Sequence, residues 1–219
     1  MIRFEILVSL VATMILSAIL TPFVRKLAFK IGAVDKPNVR RVNKIPMPTM
    51  GGLAIFVSYT VGTTVLYLMH QFPSRIFFAL LGGELIIIAT GVIDDIYELK
   101  PRQKMLGITL AALEVYFIGG IRMTTFTFPL LGLIHFQWLS LPVTLLWILA
   151  ITNAVNLIDG LDGLATGVSI ISLSTMGIIG LFFLNANMFV SLLIFTLVAA
   201  MIGFLPYNFF PARIYLGDT

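Results

Sequence analysis

The sequence predicts an all-α fold, a polytopic membrane helical bundle of about seven spans with its N terminus outside. Three observations predict it. The 219 residues are 59% hydrophobic and only 11% charged, with a mean hydropathy of +1.04. Apolar runs long enough to cross hydrocarbon recur along the whole chain. The basic residues fall on alternate connections, as the positive-inside rule requires. Backbone buried in lipid must satisfy its own hydrogen bonds, so spans of this kind are helices and the chain is one integral membrane domain over 1–219. No cysteine is present, which excludes a disulfide framework and a thiolate metal site. The excess of four positive charges is explained by topology, so no nucleic-acid partner is expected.

The runs lie at 5–24, 50–69, 76–93, 105–121, 139–158, 164–184 and 188–206. The first is followed by Arg25, Lys26, Lys30, Lys36, Arg40, Arg41 and Lys44, and only Arg3 precedes it. That loop is expected in the cytoplasm. Alternation then adds 94–104, 159–163 and 207–219 to the cytoplasmic side, which holds eleven of the fourteen basic residues. Between spans one and two, the prolines and turn formers of 30–52 argue against continuous helix. Thr49 is a candidate cap for span two, and the amides of Met50, Gly51 and Gly52 are candidates to face an anion. The alternating Thr124-Thr125-Phe126-Thr127-Phe128, in the outer segment 120–138, predicts a short strand or an interfacial segment. Glu84 and Glu114 fall near mid-membrane, where interhelical hydrogen bonding is the expected role.

The same layout places seven of the ten acids at one face: Asp35, Asp94, Asp95, Glu98, Asp159, Asp162 and Asp218. A charged side chain costs about 3 kcal/mol on insertion into hydrocarbon, so such gathering at helix ends suggests a purpose. Asp94-Asp95 closes span three, where carboxylates oppose the helix dipole and call for a cation, either a metal or Lys100 and Lys104. Asn153, Asn156, Asp159 and Asp162 recur every three residues, a polar stripe that drifts around a helix. The blander alternative divides that stripe: Asp162 caps span six, and the asparagines bond to neighbouring helices. Gly217-Asp218-Thr219 is a turn, or a place where glycine lets a ligand approach the backbone.

Taken together, the segments resemble the polyprenyl-phosphate N-acetylhexosamine-1-phosphate transferase family. Five stretches carry the likeness, in family order: Asp35-Lys36-Pro37-Asn38, Lys44 through Gly52, Gly91 through Asp95 with Lys104, Asn153 through Leu164, and Leu216-Gly217-Asp218-Thr219. The Asp-Lys-Pro-Asn segment is more similar to the branch that transfers N-acetylglucosamine-1-phosphate to undecaprenyl phosphate than to the branch that loads the muramoyl-pentapeptide. The resemblance implies a UDP-sugar donor (UDP-N-acetylglucosamine), an undecaprenyl phosphate acceptor in the lipid bilayer, release of UMP, and magnesium, with manganese as the alternative ion. It implies Asp218 as metal ligand, and Asp94 and Asp95 as the pair that orients the acceptor phosphate or assists the metal. A phosphate monoester is largely ionised at neutral pH, so positioning is expected of that pair rather than proton removal. Asn153, Asn156, Asp159 and Asp162 would line the nucleotide-sugar site, with Lys44 near the uracil, Thr49 at the start of span two, Lys104 facing phosphate and Tyr215 against the base.

The family continues past its Gly-Asp motif with further spans and a histidine-rich loop, so these residues are expected to be the N-terminal part of a longer fold and inactive alone. A homodimer is among the assemblies left open. An intramembrane, magnesium-dependent prenyltransferase and a transporter component are the competing readings. The sharpest expectation is spatial: three aspartate-bearing patches, distant in sequence, meet in one polar pocket.

Overall fold

The fold was analysed on a computed structural model, which describes residues 4–35, 46–128, 132–183 and 188–219. Each of the seven apolar runs is helical: α1 (Phe4–Ile31), α2 (Gly51–Leu68), α3 (Ser74–Tyr97), α4 (Pro101–Glu114), α5 (Ser140–Ile158), α6 (Leu164–Phe182) and α7 (Met188–Asn208). Among the described residues, six of the helices are long and apolar enough to cross a bilayer. The fourth falls short as α-helix, at 14 residues, and is completed by a five-residue π turn, Val115–Gly119.

Helix α1 runs further than its apolar segment. Its 28 residues rise about 42 Å at 1.5 Å each, against about 30 Å of hydrocarbon. Arg25, Lys26 and Lys30 therefore lie on an exposed extension of the helix rather than in a loop. The buried stripe of α1 is small and hydroxylated: Ser9, Thr13, Ser17 and Thr21 recur every four residues. Thr13 and Thr21 return their hydroxyls to Ser9 O and Ser17 O, which leaves a smooth face for close approach. Gly203 of α7 meets Met14 O and Ser17 there, and Gly62 of α2 meets Thr13. Helices α1, α2 and α7 thus form the tight half of the bundle, and α6 packs on α7. Helices α3, α4 and α5 pack in chain order, with α3 against α2. Glu114 lays its carboxyl against Gly82 and Gly83 of α3, a close interhelical contact.

Among the described residues, two small antiparallel sheets flank the bundle. β1 (Val34–Asp35) pairs with β2 (Met47–Pro48), closing the loop between the first two spans. β3 (Thr125–Phe128) pairs with β4 (Gly132–His135), so the alternating threonine–phenylalanine segment is a strand. Lys44 lies outside the described residues.

Candidate active site

The ends of α3 and α5, the starts of α2 and α4 and the final segment 214–219 converge at one end of the bundle. An open cleft of ≈ 430 Å³ lies there, lined by residues that include Asp94, Asp95, Asn156, Asp159, Tyr215 and Asp218. The three acidic patches meet, although Asp218 is 123 residues from Asp95 and 62 from Asn156.

The final segment is held in place by backbone. Tyr215 N–H donates to Pro48 O at 2.9 Å, and the Gly51 and Gly52 amides donate to Tyr215 O and Leu216 O at 3.0 and 2.9 Å. The first two amides of α2 are therefore occupied by the protein's own chain, and the expectation that those of Gly51 and Gly52 face an anion is corrected. Their orphan donors need acceptors, and a neighbouring extended segment supplies them. Thr49 does not cap α2 either: its hydroxyl donates to Ala33 O at 3.1 Å, and Met50, with φ 74°, occupies the N-cap position. Asn208, almost wholly buried, accepts from Thr166 Oγ1 at 2.8 Å and donates to Ile214 O at 3.1 Å. Sequence reading overlooked it; its only signal was an amide at the end of an otherwise apolar span. Asn208→Ala is expected to cost about 1–3 kcal/mol, because buried polar partners lose their bonds. Thermal unfolding in detergent reads that loss.

Gly217 has φ +79°, and a Cβ there would lie 2.9 Å from both carboxylate oxygens of Asp95. Only glycine suits this place, in conformation and in space. It allows Asp218 N–H to donate to Asp95 Oδ1 at 3.1 Å. The other oxygen, Asp95 Oδ2, is buried with no hydrogen bond of ordinary geometry. Asp94 Oδ1 accepts from Leu99 N–H at 2.7 Å, closing the turn after α3, and its Oδ2 pairs with Lys104 Nζ at 3.1 Å. Lys104 also pairs with Asp218, which in addition accepts from Asn156 Nδ2. The cation that a helix C-terminal acid pair calls for is Lys104, in the first turn of α4. Burial alone would lower the Lys104 ammonium, but the carboxylates of Asp218 and then Asp94 outweigh it and hold its pKa above the ordinary value.

Asp159, just past α5, is pushed up from 3.8 to about 6, by burial first and by the Asp218 charge second, against the pull of the Gly217 amide. Tyr215 is also raised, by burial and then by the charges of Asp162 and Asp159. An aspartate whose pKa rises on folding holds its proton more tightly folded than unfolded. Asp159 therefore makes stability fall as pH climbs from about 4 to 6. Asp159→Asn is expected to raise Tm at pH 7.5, with the gain shrinking toward pH 4. A charge kept at such a cost, in a cleft with other carboxylates, makes Asp159 a candidate functional position.

Two expected site residues sit elsewhere. Asn153 turns its Nδ2 to Leu149 O at 2.7 Å and is not among the residues lining the cleft. Three helical residues turn about 300°, so it lies about 60° around the helix from Asn156. Asp162 accepts from Ala212 N–H at 2.8 Å and so fastens the segment after α7. It does not cap α6, whose N-cap is Gly163. Asp35 and Glu98 line the cleft as well. Both belonged to the predicted acidic face, and Asp35 opens the Asp-Lys-Pro-Asn stretch, but neither was singled out as a site residue.

The profile of glycosyl transferase family 4 matches residues 77–219. The chain belongs to glycosyl transferase family 4. It is 40% identical over 98% of its length to a Bacillus subtilis protein named as a probable undecaprenyl-phosphate N-acetylglucosaminyl 1-phosphate transferase. It is 33% identical over 98% of its length to a phospho-N-acetylmuramoyl-pentapeptide-transferase of Halalkalibacterium halodurans, and 32% identical over 94% to that of Clostridium beijerinckii. The chain spans 59% of the Bacillus subtilis relative, and 69% and 66% of the other two.

Proposed function

We propose that this chain carries the transfer site of an enzyme that moves N-acetylglucosamine-1-phosphate from UDP-N-acetylglucosamine to undecaprenyl phosphate. UMP leaves, and the product begins a cell-envelope polymer. The observation that carries this reading is the convergence of Asp94, Asp95, Asn156, Asp159 and Asp218 on one cleft beside Lys104. The name of the Bacillus subtilis relative supports the choice of sugar and lipid. The distribution of lysine and arginine supports a multi-pass protein of the cytoplasmic membrane with this cleft on the cytoplasmic face.

A second cavity, of ≈ 790 Å³, reaches Leu216 and Thr219, chain neighbours of the cleft residues Gly217 and Asp218, and runs among α2 to α7 over mainly apolar side chains. An acceptor with a phosphate head and a prenyl tail needs such a pair, polar beside apolar.

Phosphoryl transfer between two anions depends mainly on positioning and charge neutralisation. Magnesium, or manganese in its place, fits the donor set. The buried Asp95 Oδ2, which has no hydrogen bond of ordinary geometry, and the neighbouring Asp218 are hard oxygen donors. Among the described residues no three histidines or carboxylates form a ready-made cage. Magnesium commonly binds through one or two carboxylates plus phosphate oxygens. When bound, the ion would neutralise phosphate charge. The protein's own groups do the rest. Asp94 fixes Lys104 across the cleft, where its ammonium offsets negative charge. Asn156 orients Asp218. Tyr215 offers a ring edge to a base. No group is assigned the removal of a proton, since the acceptor phosphate is largely ionised already.

The test uses the chain, and the chain joined to the C-terminal part of the Bacillus subtilis relative, in membranes with labelled UDP-N-acetylglucosamine and undecaprenyl phosphate. Equimolar UMP and an organic-phase sugar lipid are expected from the joined protein. Inorganic diphosphate released from a prenyl diphosphate, with no UMP from the labelled donor, would instead establish a prenyltransferase.

A further inference from the structure

The two-stranded ribbon β3–β4 has no part in the cleft. It joins the far end of the α4 π turn to the start of α5, at the opposite end of the bundle. Its register pairs Phe126 with Ile134, Phe128 with Gly132, Thr125 with His135 and Thr127 with Leu133. Cross-strand partners share a face and neighbours along a strand alternate. One face therefore carries Phe126, Phe128 and Ile134, and the other carries Thr125, Thr127 and His135 with Leu133. The two phenylalanine rings lie 6.4 Å apart, as one face requires. Among the described residues this apolar face is left largely open: Phe126, Phe128 and Ile134 are 46%, 42% and 36% exposed.

We infer that the β3–β4 ribbon is a membrane-seated element whose Phe126–Phe128–Ile134 face rests in the headgroup–acyl boundary of the bilayer. Three observations choose phospholipid as the occupant. First, β4 leads within a few residues into the span that ends in α5, only 6% of which is buried within the protein. Trp138, 80% exposed, stands between β4 and α5, and a tryptophan with one wet edge suits that boundary. Second, the ribbon's base is held at the bundle's end. Arg75 Nε donates to Ile118 O at 2.6 Å, and the Arg122 guanidinium lies 4.7 Å from the Tyr116 ring centre. Both arginines are exposed there, placed to meet lipid phosphate. Third, the two faces differ in chemistry, both phenylalanines and Ile134 on one and two threonines and a histidine with a single leucine, Leu133, on the other, the sidedness of an interfacial amphipath. A ribbon standing out in water would leave two phenylalanines bare without return. The inference does not depend on the reaction proposed above.

The chain has two tryptophans, Trp138 and Trp147, so a spectroscopic test is direct. In a W138F/W147F background, F126W and T127W report the two faces in nanodiscs of phosphatidylcholine. F126W is expected to emit at shorter wavelength and to lose at least half its intensity when the lipids are brominated near the headgroup end of the acyl chain. T127W is expected to respond to aqueous iodide instead. Trp138 in W147F, with the ribbon untouched, should also be quenched by the brominated lipid, which guards against damage by the added tryptophans. Equal iodide quenching on both faces overturns the inference. Blue-shifted F126W emission that brominated lipid leaves unchanged also overturns it, because the face is then covered by protein, a second copy or a further part of the chain.

Discussion

Asp218→Asn is expected to abolish UMP release, with a loss of about 1,000-fold or more, typical of removing a charge that acts on the reacting phosphates. The substitution keeps the size of the side chain and removes its charge. Asp218 is where the final segment meets the rest of the site: its carboxylate takes Lys104 and Asn156, and its amide binds Asp95. Loss of the charge leaves Lys104 with Asp94, to which it remains bridged at 3.1 Å. Folding should therefore change little. The measurement pairs UMP release by the joined protein with its thermal midpoint. A variant that keeps a tenth of the activity, at unchanged midpoint, would remove Asp218 from the chemistry. Metal removal gives the matching control: chelation should stop the wild-type protein and be reversed by magnesium.

Gly52→Ala and Gly91→Ala are expected to detach the segment 215–219, against their helix propensity. Both glycines are helical, and replacing a helical glycine by alanine ordinarily stabilises by about 1 kcal/mol. Here a Cβ on Gly52 would overlap the Thr219 carbonyl, and one on Gly91 would overlap the Asp218 carbonyl and Thr219 Cα. The obstacle is backbone, which cannot swing aside as a side chain does, so the overlap exceeds the usual about 1–3 kcal/mol of an overpacked site. The segment that brings Asp218 to Asp95 would leave its groove between α2 and α3. Because the chain has no cysteine, Leu216→Cys supplies a single reporter for maleimide. Labelling roughly tenfold faster in either alanine variant is expected, as for a segment that has become locally open. Unchanged labelling together with unchanged activity would show that the close approach carries no weight.

The helices were legible because hydrocarbon-length apolar runs have few other solutions. The threonine–phenylalanine strand was legible because alternation has a period of two. The candidate site was legible in its residue types: asparagines and aspartates at span ends, in a chain that can ill accommodate them. Hydrogen-bond partners were not legible. Thr49 beside a helix start reads as a cap, yet its hydroxyl donates to Ala33 O on the preceding loop. Asp162 before a helix reads as a cap, yet Ala212 N–H, 50 residues on, takes it. Asn153 reads as one of a stripe, yet its own helix satisfies it. Each is a choice among several acceptors or donors of similar strength, and proximity in the folded chain decides it.

The amino-acid order alone determined that this chain is a helical membrane protein and that its carboxylates collect at helix ends, since hydrophobic length and charge penalty act residue by residue. Only the tertiary structure decided that Gly217-Asp218 threads between α2 and α3, that the first amides of α2 are occupied by Tyr215 and Leu216, and that Lys104 bridges Asp94 and Asp218. Those facts depend on how closely two backbones approach across more than a hundred residues of chain. Local pattern carries no information about that distance.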